Sequence, residues 1–175
     1  SGCDEVIHVA ALLNSIAHKS RFHRVNVVGT QTVCQACLAQ PTTHLTLISS
    51  SDVFGIPKPD RVLTEESPFK PWDEPYADTK IEAANYVKSL REQGKLNASI
   101  IYPGWVYGPG DRQFFPAIID MVKSGVVFTW HRTTPMNIYL VYIDDLIDGI
   151  CKAMIDRDTT HQDFLILDHQ TGLTP

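Results

Sequence analysis

The sequence predicts an α/β protein built on a doubly wound parallel sheet. Two observations predict it. Short, β-branched apolar runs such as "EVIHVAA" and "HLTLISSS" have the pattern of strands buried in a parallel sheet. Stretches of helical character separate these runs in regular alternation, as strand–helix units require.

The elements follow in order. Glu5–Ala11 reads as the first buried strand. After a polar stretch, a helix is expected from Arg24 to Gln40. His44–Ser51 is the second strand. The connection from Gly55 to Pro75 is rich in proline and charge and longer than ordinary loops, a type that tends to be functional or mobile. A helix from Tyr76 to Gln93 follows, stopped by Gly94. Asn97–Gly104 is a third strand, broken by Pro103 and Gly104, and "VYGPGDRQ" is loop. Next come a helix at Phe115–Ser124, a strand at Met136–Ile143, and a helix at Asp145–Ile155 capped by Asp144. Asp163–Asp168 closes as another strand, and Thr174-Pro175 carries a helix-start signal.

Composition sets the bounds. At 175 residues, 43% hydrophobic and 20% charged, the chain has enough material for one soluble domain with a core. A net charge of −5 without a basic run argues against nucleic acid as partner. No apolar run approaches the ~20 residues of a membrane span. Cys34 and Cys37 form a C-x-x-C with no second pair to complete a zinc set, and helical spacing puts both thiols on one buried face. They are expected to pack as small hydrophobes, in a reduced, cytoplasmic setting. The histidines lack metal-ligand spacing, and His8 is expected to be a satisfied core residue.

The chemistry gathers in "YADTK". Tyr76 and Lys80 stand just over one helical turn apart, on one face. A phenol titrates near pH 10, so a tyrosine base needs its pKa lowered by about three units, or roughly 4 kcal/mol. A neighbouring lysine cation supplies part of that. If Tyr76 exchanges its proton with a substrate hydroxyl or carbonyl, a further hydroxyl polarising that oxygen completes such a site, and Ser49, Ser50 and Ser51 are the candidates. Ser49 is expected to face the opposite side of the strand from Ser50.

Six segments in register resemble the extended short-chain dehydrogenase/reductase superfamily, which includes the NAD-dependent epimerases and dehydratases and the 3β-hydroxysteroid dehydrogenases. They are "GCDEVIHVAA", "VNVVGTQTV", "ISSSDVFG", "YADTK", "YPGWVYGPGDR" and "LVYIDDLIDGICKAM". The resemblance implies a Rossmann-like sheet, NAD or NADP as cofactor, and a small-molecule substrate. It implies Ser50, Tyr76 and Lys80 as catalytic residues, Ser50 being selected by its five-residue distance from Gly55. Ala10, Ala11, Tyr76, Lys80, Pro103 and Val106 would line the cofactor, and Ser51, Asp52, Trp105 and Arg112 the substrate. It also implies a homodimer and no metal. The family's G-x-x-G-x-x-G turn does not occur in this sequence. The expectation is therefore a fragment lacking the first three strands, with weak dinucleotide affinity and with "EVIHVAA" at an unpaired sheet edge. Residues 1–110 would be the C-terminal half of the dinucleotide-binding domain, and 111–175 part of a substrate-binding segment.

Two departures shape the substrate. Dehydratase relatives carry a T-D-E triplet where this chain has Ser50-Ser51-Asp52, which argues against a sugar dehydratase. Trp105 stands where many sugar epimerases carry asparagine, and an indole offers one donor and no acceptor. The tilt is toward a more apolar alcohol or ketone, with a nucleotide-sugar epimerase as the alternative and an inert interaction module as the alternative of another class.

Overall fold

The computed structural model describes residues 3–13, 17–40, 43–56, 58, 62–112, 114–125, 138–155 and 161–168. Four parallel strands form the main sheet: β1 (Glu5–His8), β2 (His44–Ile48), β3 (Asn97–Pro103) and β6 (Asp163–Ile166), in the order β1-β2-β3-β6. Register pairs His8 with Leu47, Ile48 with Ile101 and Pro103 with Ile166. A second, two-stranded parallel sheet pairs β4 (Trp105–Tyr107) with β5 (Leu140–Tyr142). The expected doubly wound α/β class is what the chain adopts.

Period-two alternation along β3 divides the core. Ile100 and Tyr102 face one layer, with Leu45 and Leu47 of β2. That layer is covered by α2 (Gly29–Leu38) and α3 (Pro75–Glu92), through Cys34, Cys37, Ile81, Ala84, Val87 and Leu90. Ile101 faces the other way, with Ile48, against Leu146 and Ala153 of α5 (Ile143–Ile155). Cys34 and Cys37 are thus buried free thiols, as expected, and burial pushes the Cys34 thiol up to about 12.

Several elements differ from the sequence expectation. β1 stops at His8, and its Glu5 and Ile7 are exposed. It is an edge strand of the described sheet, so only one face and one flank are covered. The helix expected from Arg24 begins earlier. α1 (Lys19–Phe22) runs through a π-helical turn (His23–Val28) into α2. The Thr30 and Thr32 hydroxyls donate to the carbonyls of Asn26 (2.6 Å) and Val28 (2.9 Å) and so compete with the backbone ladder there. β2 ends at Ile48, and Ser51–Phe54 forms a 3₁₀ turn capped by the Ser50 hydroxyl. The "VYGPGDRQ" stretch is not all loop, since Val106 and Tyr107 belong to β4. Asp144 lies in the first turn of α5 rather than capping it. Only Leu140–Tyr142 of the strand expected at Met136–Ile143 is regular strand, 126–137 lying outside the described residues. The helix of Phe114–Lys123 (α4) agrees with expectation. β6 ends two residues short of Asp168, and Thr174-Pro175 lies outside the described residues.

The long connection after Gly55 is docked. Leu63 is buried, and Phe69 packs with Phe54 and Tyr102 at centroid distances of 5.7 and 5.9 Å. The Leu165 amide donates to Glu65 Oε1 at 3.0 Å, tying the connection to β6. Below it, Asp163 accepts from Arg91 Nη1 (2.7 Å), Lys88 Nζ (2.9 Å) and the Tyr102 hydroxyl (3.3 Å).

Gly104 sits where the chain leaves β3 for β4. A Cβ there would lie 2.6 Å from the Tyr139 carbonyl oxygen, which is already held by the Trp105 amide at 2.7 Å. Gly104→Ala is therefore expected to destabilise the chain by about 1–3 kcal/mol through a forced backbone shift. Urea unfolding checks this, and an unchanged midpoint would count against the close approach.

Candidate active site

The site forms where β2 ends and α3 begins. Glu74 caps α3, its Oε2 accepting from the Ala77 amide at 2.7 Å, and Pro75 opens the helix. Tyr76 and Lys80 follow on one face. Lys80 reaches under the end of β2 and donates from Nζ to the Ile48 carbonyl at 2.6 Å. Ser50, two residues beyond that carbonyl, stands near enough to the Tyr76 phenol to pull its pKa down. Its Oγ accepts from the Asp52 amide at 3.2 Å. Ser49 Oγ is buried and has no hydrogen-bond partner among the described residues. Of the three serines, only Ser50 figures among the groups acting on the Tyr76 phenol.

A buried polar chain sets the height of α3 against the sheet. Asn26 Oδ1 accepts from the Leu12 amide (2.7 Å), and Asn26 Nδ2 donates to the Leu12 carbonyl (3.2 Å) and to Thr79 Oγ1 (3.0 Å). The Thr79 hydroxyl donates to the carbonyls of Pro75 (2.7 Å) and Tyr76 (2.9 Å). The Thr30 proton goes to the Asn26 carbonyl, so His8 Nε2, 3.0 Å from Thr30 Oγ1, is the donor of that pair. His8 is therefore the satisfied core histidine that was expected, and burial followed by the Lys80 charge lowers its pKa. Sequence reasoning placed no role on Asn26 or Thr79. The readable signal was a polar residue amid the apolar run "VNVV".

Electrostatics at the tyrosine run against expectation. Burial, then the Asp52 charge, pushes the Tyr76 phenol up to about 12, with the Ser50 donor pulling down and Glu74 pushing up. The lysine expected to lower it is committed to the Ile48 carbonyl. Asp52 is itself raised, by burial first, while the Trp105 and Ser50 donors pull down and Glu74 pushes up. Trp105 is 40% exposed and donates from Nε1 to Asp52 Oδ1 at 3.2 Å.

Burial lowers Lys80 to about 8 from its ordinary 10.5. The unfolded chain binds this proton more tightly, so stability rises as pH climbs from about 8 to 10.5. Below pH 8 the fold carries the whole cost of the buried ammonium, about 3 kcal/mol. Lys80→Met is expected to stabilise the chain by about 2 kcal/mol at pH 7, allowing for the lost bond to Ile48. The advantage vanishes above pH 10.5. Urea midpoints at neutral and alkaline pH check it. A variant less stable than wild type at pH 7 refutes it.

The remaining expected residues fall at or beyond strand ends, on β4 and in loops. Ala10 and Ala11 are exposed past the end of β1, Pro103 is buried at the end of β3, and Val106 is 36% exposed on β4. Ser51 is buried in the 3₁₀ turn, and Arg112 stands exposed in the loop before α4, apart from the hydrogen-bonded cluster. The donor set suits the nicotinamide–ribose end of a dinucleotide. Lys80 has donors beyond the one on Ile48, and the Tyr76 hydroxyl lies one turn away. Among the described residues there is no group of three metal-ligating side chains, and no helix is long and apolar enough to cross a membrane.

Residues 1–166 match the model of the NAD dependent epimerase/dehydratase family. The chain belongs to that family. Members of this NAD dependent epimerase/dehydratase family are enzymes, and their cofactor is NAD or NADP, as expected from the sequence. The chain is 29% identical over 126 residues to 4-hydroxy-2-methyl-3-oxo-4-farnesyl-3,4-dihydroquinoline-1-oxide ketoreductase of Stigmatella aurantiaca, covering 71% of this chain and 37% of that one. It is 27% identical over 164 residues to the human sterol-4-alpha-carboxylate 3-dehydrogenase, decarboxylating, covering 91% and 44%. Among solved structures, MoeE5 in complex with UDP-glucose and NAD superposes with a TM-score of 0.77 at 25% identity, covering 94% of this chain and 56% of that one. The chain thus spans between about a third and somewhat over half of the length of these relatives.

Proposed function

We propose that the chain carries the catalytic centre of an NAD(P)-dependent oxidoreductase acting on an alcohol or ketone, with Ser50, Tyr76 and Lys80 as its working residues. The reading is supported by Ser50 at the end of β2 acting on the Tyr76 phenol at the head of α3, with Lys80 buried one turn along the same helix and donating to the Ile48 carbonyl. Ser50 polarises the substrate oxygen, Tyr76 exchanges a proton with it, and Lys80 holds the ribose of the cofactor. When bound, the nicotinamide supplies or accepts hydride. Ala10, Ala11, Pro103 and Val106 line that end of the site.

The substrate is a small apolar alcohol or ketone, in the manner of a hydroxysteroid. Trp105 supports this. Its N–H is committed to Asp52, so the exposed part of the indole offers an apolar wall. Ser51, Asp52 and Arg112 complete the substrate side, with 1–110 holding the cofactor end and 111–175 contributing substrate contacts. The family resemblance supports a cytoplasmic homodimer. The deciding experiment incubates the active enzyme with NAD(P)H and a panel of apolar ketones and nucleotide sugars. Net cofactor oxidation with an alcohol product supports the reading, and epimer formation without net redox change overturns it in favour of an epimerase.

A further inference from the structure

We propose that Thr79 is a positioning residue that ties the segment past β1, where Ala10 and Ala11 stand, to the turn of α3 that carries Tyr76, so that the cofactor side and the proton-exchanging side of the site move together. The inference rests on the reading of Tyr76 as the proton-exchanging residue and of Ala10 and Ala11 as cofactor contacts.

A threonine hydroxyl has one proton and two lone pairs. The Thr79 proton is shared between the carbonyls of Pro75 (2.7 Å) and Tyr76 (2.9 Å). A lone pair of the same oxygen accepts from Asn26 Nδ2 at 3.0 Å. Asn26 Nδ2 gives its other proton to the Leu12 carbonyl at 3.2 Å, and Asn26 Oδ1 accepts from the Leu12 amide at 2.7 Å. Both side-chain protons of Asn26 are thus engaged, and both backbone groups of Leu12 end on one side chain. Asn26 is 2% exposed and Thr79 8%, so water has little room to stand in for a lost partner.

These bonds join two parts of the site that are far apart in sequence. Leu12 follows directly on Ala10 and Ala11, which lie exposed past the end of β1. A threonine hydroxyl that bonds back to the preceding turn bends a helix there. In α3 that turn holds Pro75 and Tyr76, so the Thr79 oxygen bears on the direction in which the tyrosine leaves the helix. The same oxygen is what Asn26 holds. Asn26 is in turn fixed to the sheet, because its carbonyl accepts from the Thr30 hydroxyl at 2.6 Å and Thr30 Oγ1 meets His8 Nε2 at 3.0 Å. The Asn26 side chain therefore works as a strut between Leu12 and Thr79. When a bound dinucleotide holds the Leu12 segment, the strut holds the turn of Tyr76 as well, and loss of the Thr79 hydroxyl frees both ends.

The test compares wild type with Thr79→Val, which keeps the shape and deletes the hydroxyl, and with Thr79→Ser, which keeps the hydroxyl. Thr79→Ala is measured alongside, so that a folding defect in the valine variant decides nothing. Amide hydrogen exchange in the full chain is followed at Leu12, with the buried Ile100 of β3 as reference. The expected result in Thr79→Val is an acceleration at Leu12 about tenfold beyond any at Ile100, with Thr79→Ser close to wild type. In the active enzyme, Thr79→Val lowers kcat by about ten- to a hundredfold, the effect of a misplaced reacting group. Cofactor binding weakens in parallel, and Thr79→Ser restores most of both. Exchange at Leu12 that rises no more than at Ile100, a fall in kcat with cofactor affinity unmoved, or a serine variant as impaired as the valine one overturns the proposal. Full turnover in Tyr76→Phe overturns the acid–base reading instead, and the Leu12 measurement still judges the link through Thr79.

Discussion

Tyr76→Phe is expected to lower turnover of the active enzyme by about 10²–10⁴-fold, the range a positioned proton donor contributes. The substitution keeps the ring in its half-buried seat at the head of α3 and removes only the hydroxyl on which Ser50 acts. Cofactor affinity should change little. Lys80→Met, by contrast, should lower both turnover and cofactor affinity, because the lysine serves the ribose as well as the local charge. The pair of outcomes separates the two roles, through steady-state rates and cofactor titrations on each variant. Equal rates for wild type and Tyr76→Phe refute the assignment. The lysine variant should lose function while gaining stability at neutral pH, a trade common at working sites.

The largest expected loss of stability lies away from the site, at Asp163. Its side chain is 8% exposed and binds Arg91 and Lys88, which are 15% and 25% exposed. Lys88 Nζ also lies 4.8 Å from the centroid of the Phe69 ring. Asp163→Ala leaves two largely buried cations and the Tyr102 hydroxyl without their acceptor. Breaking a buried pair by removing one partner costs about 3–5 kcal/mol, and the partial exposure of Lys88 places the expectation near the lower end, about 3 kcal/mol. Urea unfolding measures it. A loss under about 1 kcal/mol would mean that solvent replaces the carboxylate.

The main sheet and its covering helices were legible because each depends on local pattern. Runs such as "HLTLI" and "NASIIYP" are buried on both faces along nearly their whole length, and their β-branched, apolar character follows. The start of α3 was legible to within a residue: the helix expected from Tyr76 begins at Pro75, because Glu74 caps its first turn and proline has no amide to satisfy. The Tyr76–Lys80 spacing then fixes one face.

What was not legible depends on partners distant in sequence. Leu63 and Phe69 give no sign in "a proline-rich connection" that they fill the core beside Tyr102. Asn26 bonds Leu12 and Thr79, fourteen and fifty-three residues away, and no spacing rule predicts that. The direction of the Tyr76 shift was missed for the same reason. A lysine one turn away suggests a cation beside the phenol, but its ammonium bonds a carbonyl on β2 instead. The extra strand at Trp105–Tyr107 forms only because a glycine lets the chain step off β3 against the Tyr139 carbonyl.

The contact between Glu65 and the Leu165 amide has a consequence for how copies of the chain meet one another. β6 is the last strand of the described sheet, and its outer flank offers amides and carbonyls that could template a strand from another molecule. Glu65 occupies one of those amides and sets a carboxylate on that flank. An incoming strand would have to displace the carboxylate or bring its own carbonyl against it. The docked connection therefore acts as a guard against edge-to-edge aggregation, and it does so with a single side chain one hundred residues away from the strand that it protects.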